Sequence, residues 1–195
     1  QVVREIDALG GEMGKNTDAS AIQFRMLNRS KGPAVWSPRA QCDKVLYQRR
    51  MKLMVEREPN IFVHQAQAVE FLTRGDRITG ITTDFSESWQ ARAVVVCTGT
   101  FLRGVCHYGE KSFPGGRAGD VAAEALSASL LNTLELELGR LKTGTPPRVM
   151  GNTIDFSQMS EQVSDNTLQF SHWPDDVHAV RTIAPRDLPQ KSCWQ

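Results

Sequence analysis

The sequence lacks any long apolar stretch. Its longest unbroken apolar run is Ala93 to Cys97, far shorter than the roughly 20 residues that a transmembrane helix needs. The segment from Gln1 to Gly10 also lacks the cationic start and apolar run of a secretory signal. We therefore expect no membrane segment.

The sequence also lacks an excess of charge of either sign. Lysine and arginine total 23 residues, against 22 aspartates and glutamates. A nucleic-acid-binding domain is often strongly basic as a whole. Any RNA contact of this chain is therefore expected to be a local patch of cations.

Paired cysteines and metal-binding histidine spacings are missing as well. No Cys-x-x-Cys motif occurs, and the widely spaced cysteines predict free thiols in a reducing cytoplasm. The histidines show no recognisable zinc spacing either, so no metal is predicted. The cysteines are Cys42, Cys97, Cys106 and Cys193, and the histidines are His64, His107, His172 and His178.

The phosphate-binding fingerprint Gly-x-Gly-x-x-Gly is absent too. The nearest pattern, Gly10-Gly11-x-x-Gly14, follows a predicted helix rather than a strand, which is the wrong context. The first residue is Gln1 rather than methionine. We expect the chain to be an internal piece of a longer polypeptide, with any phosphate-binding βαβ unit upstream of Gln1.

Three helices are predicted from apolar spacing. Residues 1 to 9 carry an apolar stripe that Gly10-Gly11 ends. A second helix is predicted from Pro38 to Arg57, with the proline in its first turn. A third is predicted from Val121 to Leu131, capped by Asp120.

A β-meander is predicted between the second and third helices. Residues 67 to 83 alternate around Gly75-Asp76 and predict a hairpin. A third strand is predicted from Trp89 to Val96, and its valines are typical of a strand buried on both faces. It ends at Thr98-Gly99-Thr100, where glycine lets the backbone approach a ligand and threonine can donate a hydrogen bond. These features favour an α/β fold with a dinucleotide site, although strands ending in glycine are also common without one.

The remaining segments are predicted as follows. Residues 21 to 28 are expected to be extended, and Leu134, Leu136 and Leu138 alternate with glutamates as in a half-buried strand. Residues 103 to 119 are rich in glycine and predict an irregular loop.

Cations are concentrated in two loop regions rich in glycine and proline. Such side chains can hold phosphates of a cofactor or an RNA, although solvated surface charge is the commoner role of a single cation. The first region contains Arg25, Arg29, Lys31 and Arg39, and the second contains Arg140, Lys142 and Arg148.

Several of these segments together resemble the GidA/MnmG family. The resemblance spans nearly the whole chain and includes an uninterrupted run from Arg140 to Arg148. The matching segments are residues 5–11, 22–24, 27–28, 30–35, 39–41, 115–119 and 140–148.

The resemblance implies an FAD-binding domain of the glutathione-reductase type, with a β-meander and an inserted α+β domain. We expect residues 1–134 to belong to the former and 135–195 to the latter. It also implies a cytoplasmic homodimer that works with tRNA and an MnmE-type GTPase. The implied enzyme adds a carboxymethylaminomethyl or aminomethyl group at C5 of the wobble uridine, using FAD, NADH as reductant, methylenetetrahydrofolate as carbon donor, and glycine or ammonium. The isolated chain is expected to be inactive and to bind little FAD.

The family pattern also implies site residues. The backbone of Val69 is expected to contact the adenosine part of FAD, and Arg117, Lys142 and Arg148 are expected to contact flavin or RNA phosphates. Ala123 stands where the family commonly has a serine near FAD, and this difference is expected to weaken cofactor binding. The other expected cofactor-binding residues are Thr98, Gly99 and Thr100, which line FAD, and Lys31, Gly32, Pro33 and Ala34, which lie near the flavin ring.

Cys193 matches the cysteine of a family motif and is the expected catalytic nucleophile. A thiolate can attack an electron-poor ring carbon, and a nearby cation such as Lys191 favours the thiolate. A structural or merely assisting role for Cys193 is the alternative.

Two other functions remain open. A folate-dependent tRNA uridine methyltransferase relative shares the fold and substrate type of the family. A noncatalytic RNA-binding or assembly module would use only the basic loops.

Overall fold

The computed structural model describes residues 1–144, 149–165, 169–172 and 192–194. The chain forms two compact units, of which the first comprises residues 1–63 and 147–195 and the second residues 64–146. These units do not coincide with the predicted domains 1–134 and 135–195. The predicted domains concern the family fold and stay a prediction.

The first unit contains helices α1 (Val2–Ala8), α2 (Glu12–Ser20) and α3 (Lys44–Arg57). The predicted end of α1 is confirmed, because Gly10 takes a φ of +89° that favours glycine. Helix α2 was not predicted from the sequence. Its buried positions are mostly small or polar, so it shows no apolar stripe; they are Gly14, Asn16, Thr17, Ala19 and Ser20.

The prediction that Pro38 begins a helix is wrong. Pro38 lies in strand β2 (Ser37–Cys42), which pairs antiparallel with β1 (Ala21–Leu27). Helix α3 begins only at Lys44, because Asp43 caps it by accepting a 2.9 Å hydrogen bond from the backbone N–H of Leu46. Its predicted end at Arg57 is confirmed.

The β1–β2 hairpin, which confirms the extended segment predicted from residue 21, has two chemically different faces. Phe24 lies on the apolar face and its ring is 6.2 Å from that of Phe170. Gln23 and Arg25 lie on the other face, because side chains alternate along a strand. The second edge of β1 is covered by residues 164–165: the N–H of Phe24 bonds to Ser164 Oγ and that of Met26 to Asp165 Oδ2.

Buried charged groups join the helices of the first unit. Arg50 of α3 is 1% exposed and bonds to Glu12 Oε1 at 2.6 Å. Asp7 is fully buried, and Gly14 lies so close that a Cβ there would be 2.7 Å from Asp7 Oδ1. The carboxylate of Asp7 accepts hydrogen bonds from the backbone N–H and the ring Nδ1 of His172, both at 2.6 Å.

The second unit confirms the predicted meander. Strands β3 (Ala68–Arg74), β4 (Arg77–Thr83) and β5 (Ser88–Gln90) form an antiparallel three-stranded sheet. Helix α4 (Ala125–Asn132) contributes Leu126 and Leu130 to a core with Phe71 of β3. The Ser129 hydroxyl also accepts a 2.9 Å hydrogen bond from the N–H of Phe71.

The predicted buried valine strand is wrong. The third strand ends at Gln90, and Val95 is 84% exposed. No strand in the described part of the chain pairs with residues 93–97. A strand requires a neighbour for its backbone groups, so apolar composition alone does not form one here.

The prediction that Asp120 caps the following helix is also wrong. Helix α4 begins at Ala125, four residues after the predicted Val121, and Asp120 instead pairs with Arg117. The predicted start of the helix is occupied by a bridge between Leu102 and Ala123. These backbone bonds hold Ala123 outside the helix.

Two further segments differ from the sequence predictions. The predicted loop 103–119 contains a hairpin of β6 (Val105–Tyr108) and β7 (Lys111–Pro114). Residues 134–138 form no strand, because the N–H groups of Leu134 and Leu136 bond back to carbonyls of α4. Glu135 takes a φ of +53° in that turn.

The last short pair is in the first unit, where β8 (Glu161–Gln162) pairs antiparallel with β9 (Cys193–Trp194). Helices and strands together confirm the mixed α/β class. No helix within the described residues has the length and apolar character needed to cross a bilayer.

We predict that Asp7→Asn destabilises the protein at neutral pH. Burial raises the pKa of Asp7, but the hydrogen bonds from His172 and Ser171 outweigh it and hold that pKa below its usual value. A depressed carboxyl pKa stabilises the fold above the usual carboxyl pKa, and this contribution is lost as pH falls through the folded-state pKa. The thermal midpoint should therefore be several degrees below that of the parent at neutral pH, and the gap should narrow in acid.

Asp43→Asn is the matched control for this carboxylate, because asparagine caps a helix about as well as aspartate. Thermal melts across the pH range should leave the Asp43→Asn midpoint close to that of the parent. If the difference in thermal midpoint between Asp7→Asn and the parent became larger in acid, the stabilising role of the carboxylate would be contradicted.

Candidate functional site

The candidate site is built around a tight turn at Thr98-Gly99-Thr100. The N–H of Phe101 bonds to the Thr98 carbonyl at 3.0 Å, and Gly99 takes a φ of +56° that favours glycine. A Cβ at Gly99 would meet no atom within 4 Å. The turn therefore has open space beside its glycine.

A glycine loop at residues 115–120 packs directly against this turn. The Thr100 hydroxyl donates a 2.5 Å hydrogen bond to the Gly116 carbonyl. The N–H of Gly115 bonds to the Gly104 carbonyl at 2.9 Å. The turn and the loop thus form one hydrogen-bonded unit, which we call the glycine cluster and define as residues 98–104 and 115–123.

Two glycines of the cluster lie where no side chain fits. A Cβ at Gly104 would be 2.3 Å from the Thr100 carbonyl oxygen and 2.6 Å from that of Gly115. A Cβ at Gly116 would be 2.1 Å from the ring of Phe101. The backbone approach at Gly104 and the ring contact at Gly116 are this close only because both positions lack a side chain.

Ala123 completes the cluster through its backbone. Its N–H bonds to the Phe101 carbonyl, and its carbonyl accepts from the N–H of Arg103, both at 2.9 Å. The structure therefore brings together three predicted site segments that are far apart in sequence: Thr98–Thr100, Arg117 and Ala123.

The predicted phosphate-binding cations differ in their surroundings. Arg117 forms an ion pair with Asp120 within the glycine loop. Lys142 is exposed, and no ion pair or hydrogen bond of its side chain is found in the described part of the chain. Arg148 lies outside the described residues. Arg140, from the same motif, donates a 3.1 Å hydrogen bond to the Arg103 carbonyl in the glycine cluster.

Val69 lies at a β-bulge. Ala68 pairs with Thr83 and Glu70 with Thr82, so the register leaves Val69 without an opposite residue on β4. A bulge interrupts the ladder and reorients the backbone. This geometry suits the predicted use of the Val69 backbone as a ligand contact.

The segment Lys31 to Ala34 belongs to the first unit. It spans two short 3-10 turns, Arg29–Lys31 and Pro33–Val35, joined at Gly32 with a φ of +96°. The Asn28 side-chain amide donates to the Val35 carbonyl at 3.2 Å and fixes the loop. The expected place of residues 31–34 near the flavin ring stays a prediction.

The described cysteines include no thiol pair. Cys42, Cys97 and Cys106 are free. Burial raises the pKa of the Cys42 thiol, so this cysteine is a weak nucleophile. The backbone of Cys193 lies in β9 opposite Gln162, and its catalytic role stays a prediction.

Metal ligands are not grouped in the described residues. No set of three or more histidine, cysteine, aspartate or glutamate side chains there is arranged to hold an ion.

One pairing of residues in the first unit was not predicted from the sequence. Arg25 and Arg39 were noted only as members of a cationic region, but they are directly opposite residues of the β1–β2 hairpin. Alternation of polar and apolar residues in both strands is the signal that could have revealed their common face.

Comparisons with known proteins all point to one family. The family model described as glucose inhibited division protein A (GIDA) matches residues 1–186. The tRNA uridine 5-carboxymethylaminomethyl modification enzyme MnmG of Protochlamydia amoebophila is 49% identical over 193 residues, which are 99% of this chain and 29% of that protein. The protein of the same name from Endomicrobium trichonymphae is 44% identical over 194 residues, with 100% and 32% covered.

A solved structure agrees with the fold. GidA of Aquifex aeolicus, in its form I crystal, is 43% identical to this chain and superposes with a TM-score of 0.83. The match covers 99% of this chain and 32% of that one. The chain therefore spans about a third or less of the relatives it matches.

We predict that Gly104→Ala disrupts the glycine cluster. Its Cβ would overlap two carbonyl oxygens, and relieving the overlap requires breaking the bond between Gly115 and Gly104. Hydrogen-exchange mass spectrometry should show faster exchange at residues 98–104 and 115–117. Gly139→Ala is the control, because a Cβ there meets no atom within 4 Å, and exchange in the cluster as slow as in the control would contradict the assigned packing.

Proposed function

This chain belongs to the GidA family, and from that membership we propose that it is part of an FAD-dependent tRNA-modifying enzyme. The reaction adds a carboxymethylaminomethyl or aminomethyl group at C5 of the wobble uridine. The main support is a match that covers 99% of the chain, at 49% identity, with a relative named as a tRNA uridine 5-carboxymethylaminomethyl modification enzyme. A local likeness to one motif would not extend over both structural units.

We assign the fold to the FAD-binding class of the glutathione-reductase type, with an inserted α+β domain. The antiparallel meander that leads toward the turn at Thr98-Gly99-Thr100 supports this assignment. Residues 1–134 would form part of the FAD-binding domain and residues 135–195 part of the inserted domain. We place the phosphate-binding βαβ unit outside these residues, because they contain no Gly-x-Gly-x-x-Gly motif.

The residues of the glycine cluster fit a dinucleotide. The open side of Gly99 leaves room for a ligand at the backbone. The bulge at Val69 interrupts the regular pairing of β3 with β4 at that residue. Thr98, Gly99 and Thr100 would line FAD, and the Val69 backbone would contact its adenosine part. The segment Lys31-Gly32-Pro33-Ala34 would lie near the flavin ring. When bound, FAD supplies the redox chemistry of the reaction.

The cations at the edge of the cluster would hold phosphates. Lys142 is exposed and unpaired within the described residues, so it can meet an anion without breaking an ion pair. Arg117 would exchange its pairing with Asp120 for a phosphate. Arg148 is proposed for the same role from its place in the family motif.

Cys193 is proposed as the nucleophile. Its thiolate would bond to uracil C6, and the electron pair of the C5–C6 double bond would make C5 reactive toward a one-carbon electrophile. Loss of the C5 proton and cleavage of the S–C6 bond would then restore the double bond and release the thiolate. Cys42 suits no such role, because burial raises the pKa of its thiol.

The inputs and partners of the reaction follow from the family. NADH would reduce the flavin, methylenetetrahydrofolate would donate the carbon, and glycine or ammonium would supply the amine. The enzyme would act on tRNA as a cytoplasmic homodimer with an MnmE-type GTPase.

We predict that Ala123→Ser strengthens flavin binding by the protein at its full natural length. Ala123 stands where the family commonly has a serine, and its backbone is fixed in the glycine cluster. One added hydrogen bond should raise FAD affinity roughly five- to tenfold, measured by titration of the apoprotein with FAD. Ala122→Ser adds the same hydroxyl one residue away and should change little, and equal effects of the two substitutions would contradict the role of position 123.

We predict that Cys193→Ser abolishes tRNA modification, because a serine hydroxyl is a much weaker nucleophile at neutral pH. Mass spectrometry of nucleosides from tRNA treated with the protein at its full natural length measures the product. Cys42→Ser should keep most of the activity. Undiminished modification by Cys193→Ser would refute the nucleophile, and 5-methyluridine as the product of the unaltered protein would favour the methyltransferase alternative.

A further inference from the structure

We propose that the β1–β2 hairpin carries an RNA-binding site in which Arg25 and Arg39 contact backbone phosphates. This inference rests on the proposed action on tRNA and adds to it the surface that holds the RNA. The two arginines are outside the glycine cluster and belong wholly to the first unit.

The main observation is that two like charges face each other across the hairpin. Arg25 and Arg39 are directly opposite in the register of β1 and β2. Opposite residues of antiparallel strands have Cβ atoms about 4.5–5.5 Å apart, and like charges there destabilise the pair. An anion between the two guanidinium groups would turn this repulsion into attraction.

The protein supplies little to neutralise this pair. In the described part of the chain, Arg25 has no ion pair or hydrogen bond of its side chain, and Arg39 has only a long 3.5 Å contact with Gln23 Oε1. Arg50 of the same unit, by contrast, is buried and forms an ion pair with Glu12 at 2.6 Å. The Arg25 and Arg39 side chains therefore keep their donors for a ligand.

Two carboxylates lie near Arg25 and must be considered. Glu161 and Asp165 line the same surface depression as Arg25 and Arg29. Asp165 is already engaged, because it pairs with Arg29 at 3.0 Å and accepts the N–H of Met26 at 2.8 Å. Glu161 is exposed at the rim, where solvent weakens its effect on Arg25.

The hairpin that carries the arginines is held by contacts on both of its faces and along one edge. The apolar side of the hairpin packs through Phe24 on Phe170, and the edge of β1 is bonded to Ser164 and Asp165. Gln23, next to Arg25 on the same face, is 1% exposed and donates to the Gln162 carbonyl at 2.9 Å. A backbone fixed in this way reduces the entropy lost when a ligand binds.

RNA phosphates fit this face better than the pyrophosphate of FAD. A dinucleotide pyrophosphate is usually held by a glycine turn and a helix N-terminus, and neither is part of the β1–β2 ladder. Arg39 is exposed and Arg25 half-buried on a strand surface. Such an open cationic surface can follow the sugar-phosphate backbone of an RNA.

The chain contains a closely matched control pair. Arg74 and Arg77 are also directly opposite, on β3 and β4 of the second unit. They flank the turn at Gly75-Asp76, so an aspartate lies between them in the chain. Replacing this pair removes the same charge from the same type of position.

The test compares Arg25→Gln/Arg39→Gln with Arg74→Gln/Arg77→Gln in the protein at its full natural length. Fluorescence anisotropy with labelled substrate tRNA should show affinity about tenfold or more weaker for the first variant than for the second. The slope of log affinity against log salt should fall by about 1.4 for two phosphate contacts to single-stranded RNA. Flavin content, read from absorbance, should equal that of the unaltered protein.

Three outcomes would overturn the inference: equal tRNA affinity of both variants, a loss of affinity without a change in salt slope, and loss of flavin with tRNA binding kept. The last would identify the anion as a phosphate of FAD. Circular dichroism establishes that both variants are folded before they are compared. If the unaltered protein itself binds no tRNA, the proposed function fails. If the unaltered protein binds tRNA and the two variants bind it with equal affinity, only the hairpin site is overturned.

Discussion

The candidate site depends on the close approach of two backbone segments at Gly104. A Cβ at this position would overlap the carbonyl oxygens of both Thr100 and Gly115, so not even a methyl group fits. Because the backbones meet directly, the N–H of Gly115 reaches the Gly104 carbonyl and the Thr100 hydroxyl reaches Gly116. The turn at residues 98–100 is thereby positioned by backbone contacts.

In the first unit, buried polar groups position the segments relative to one another. Apart from Ala19, Ala21 and Phe170, its described buried residues are polar or charged or are glycine, and they include Asp7 and Arg50. A buried charge is tolerated only when hydrogen bonds replace its hydration. Asp7 accepts bonds from His172, and Asp18 accepts the N–H groups of Phe170 and Ser171. These contacts fasten residues 170–172 to the first two helices.

The two units expose different surfaces. The second unit has an exposed turn with open space beside Gly99. The first unit has a hairpin on which Arg25 and Arg39 lie directly opposite each other.

Local patterns were enough to predict some elements. The hairpin around Gly75-Asp76 and the end of the first helix at Gly10 follow from the conformations that glycine favours, and both are confirmed. The family also followed from sequence, because an ordered set of short motifs identifies common descent without any knowledge of contacts.

Other features were decided only by the tertiary structure. The valines at 94–96 have strand composition but no neighbouring strand in the described residues, and Asp120 pairs with Arg117 instead of capping a helix. Helix α2 buries polar residues whose partners are far away in sequence, so no apolar stripe marks it. The sequence by itself determined the local turns, the mixed α/β class and the family. Only the tertiary structure decided which polar groups are paired and which cations are left for a ligand, because pairing depends on partners brought close by folding rather than on neighbours in the chain.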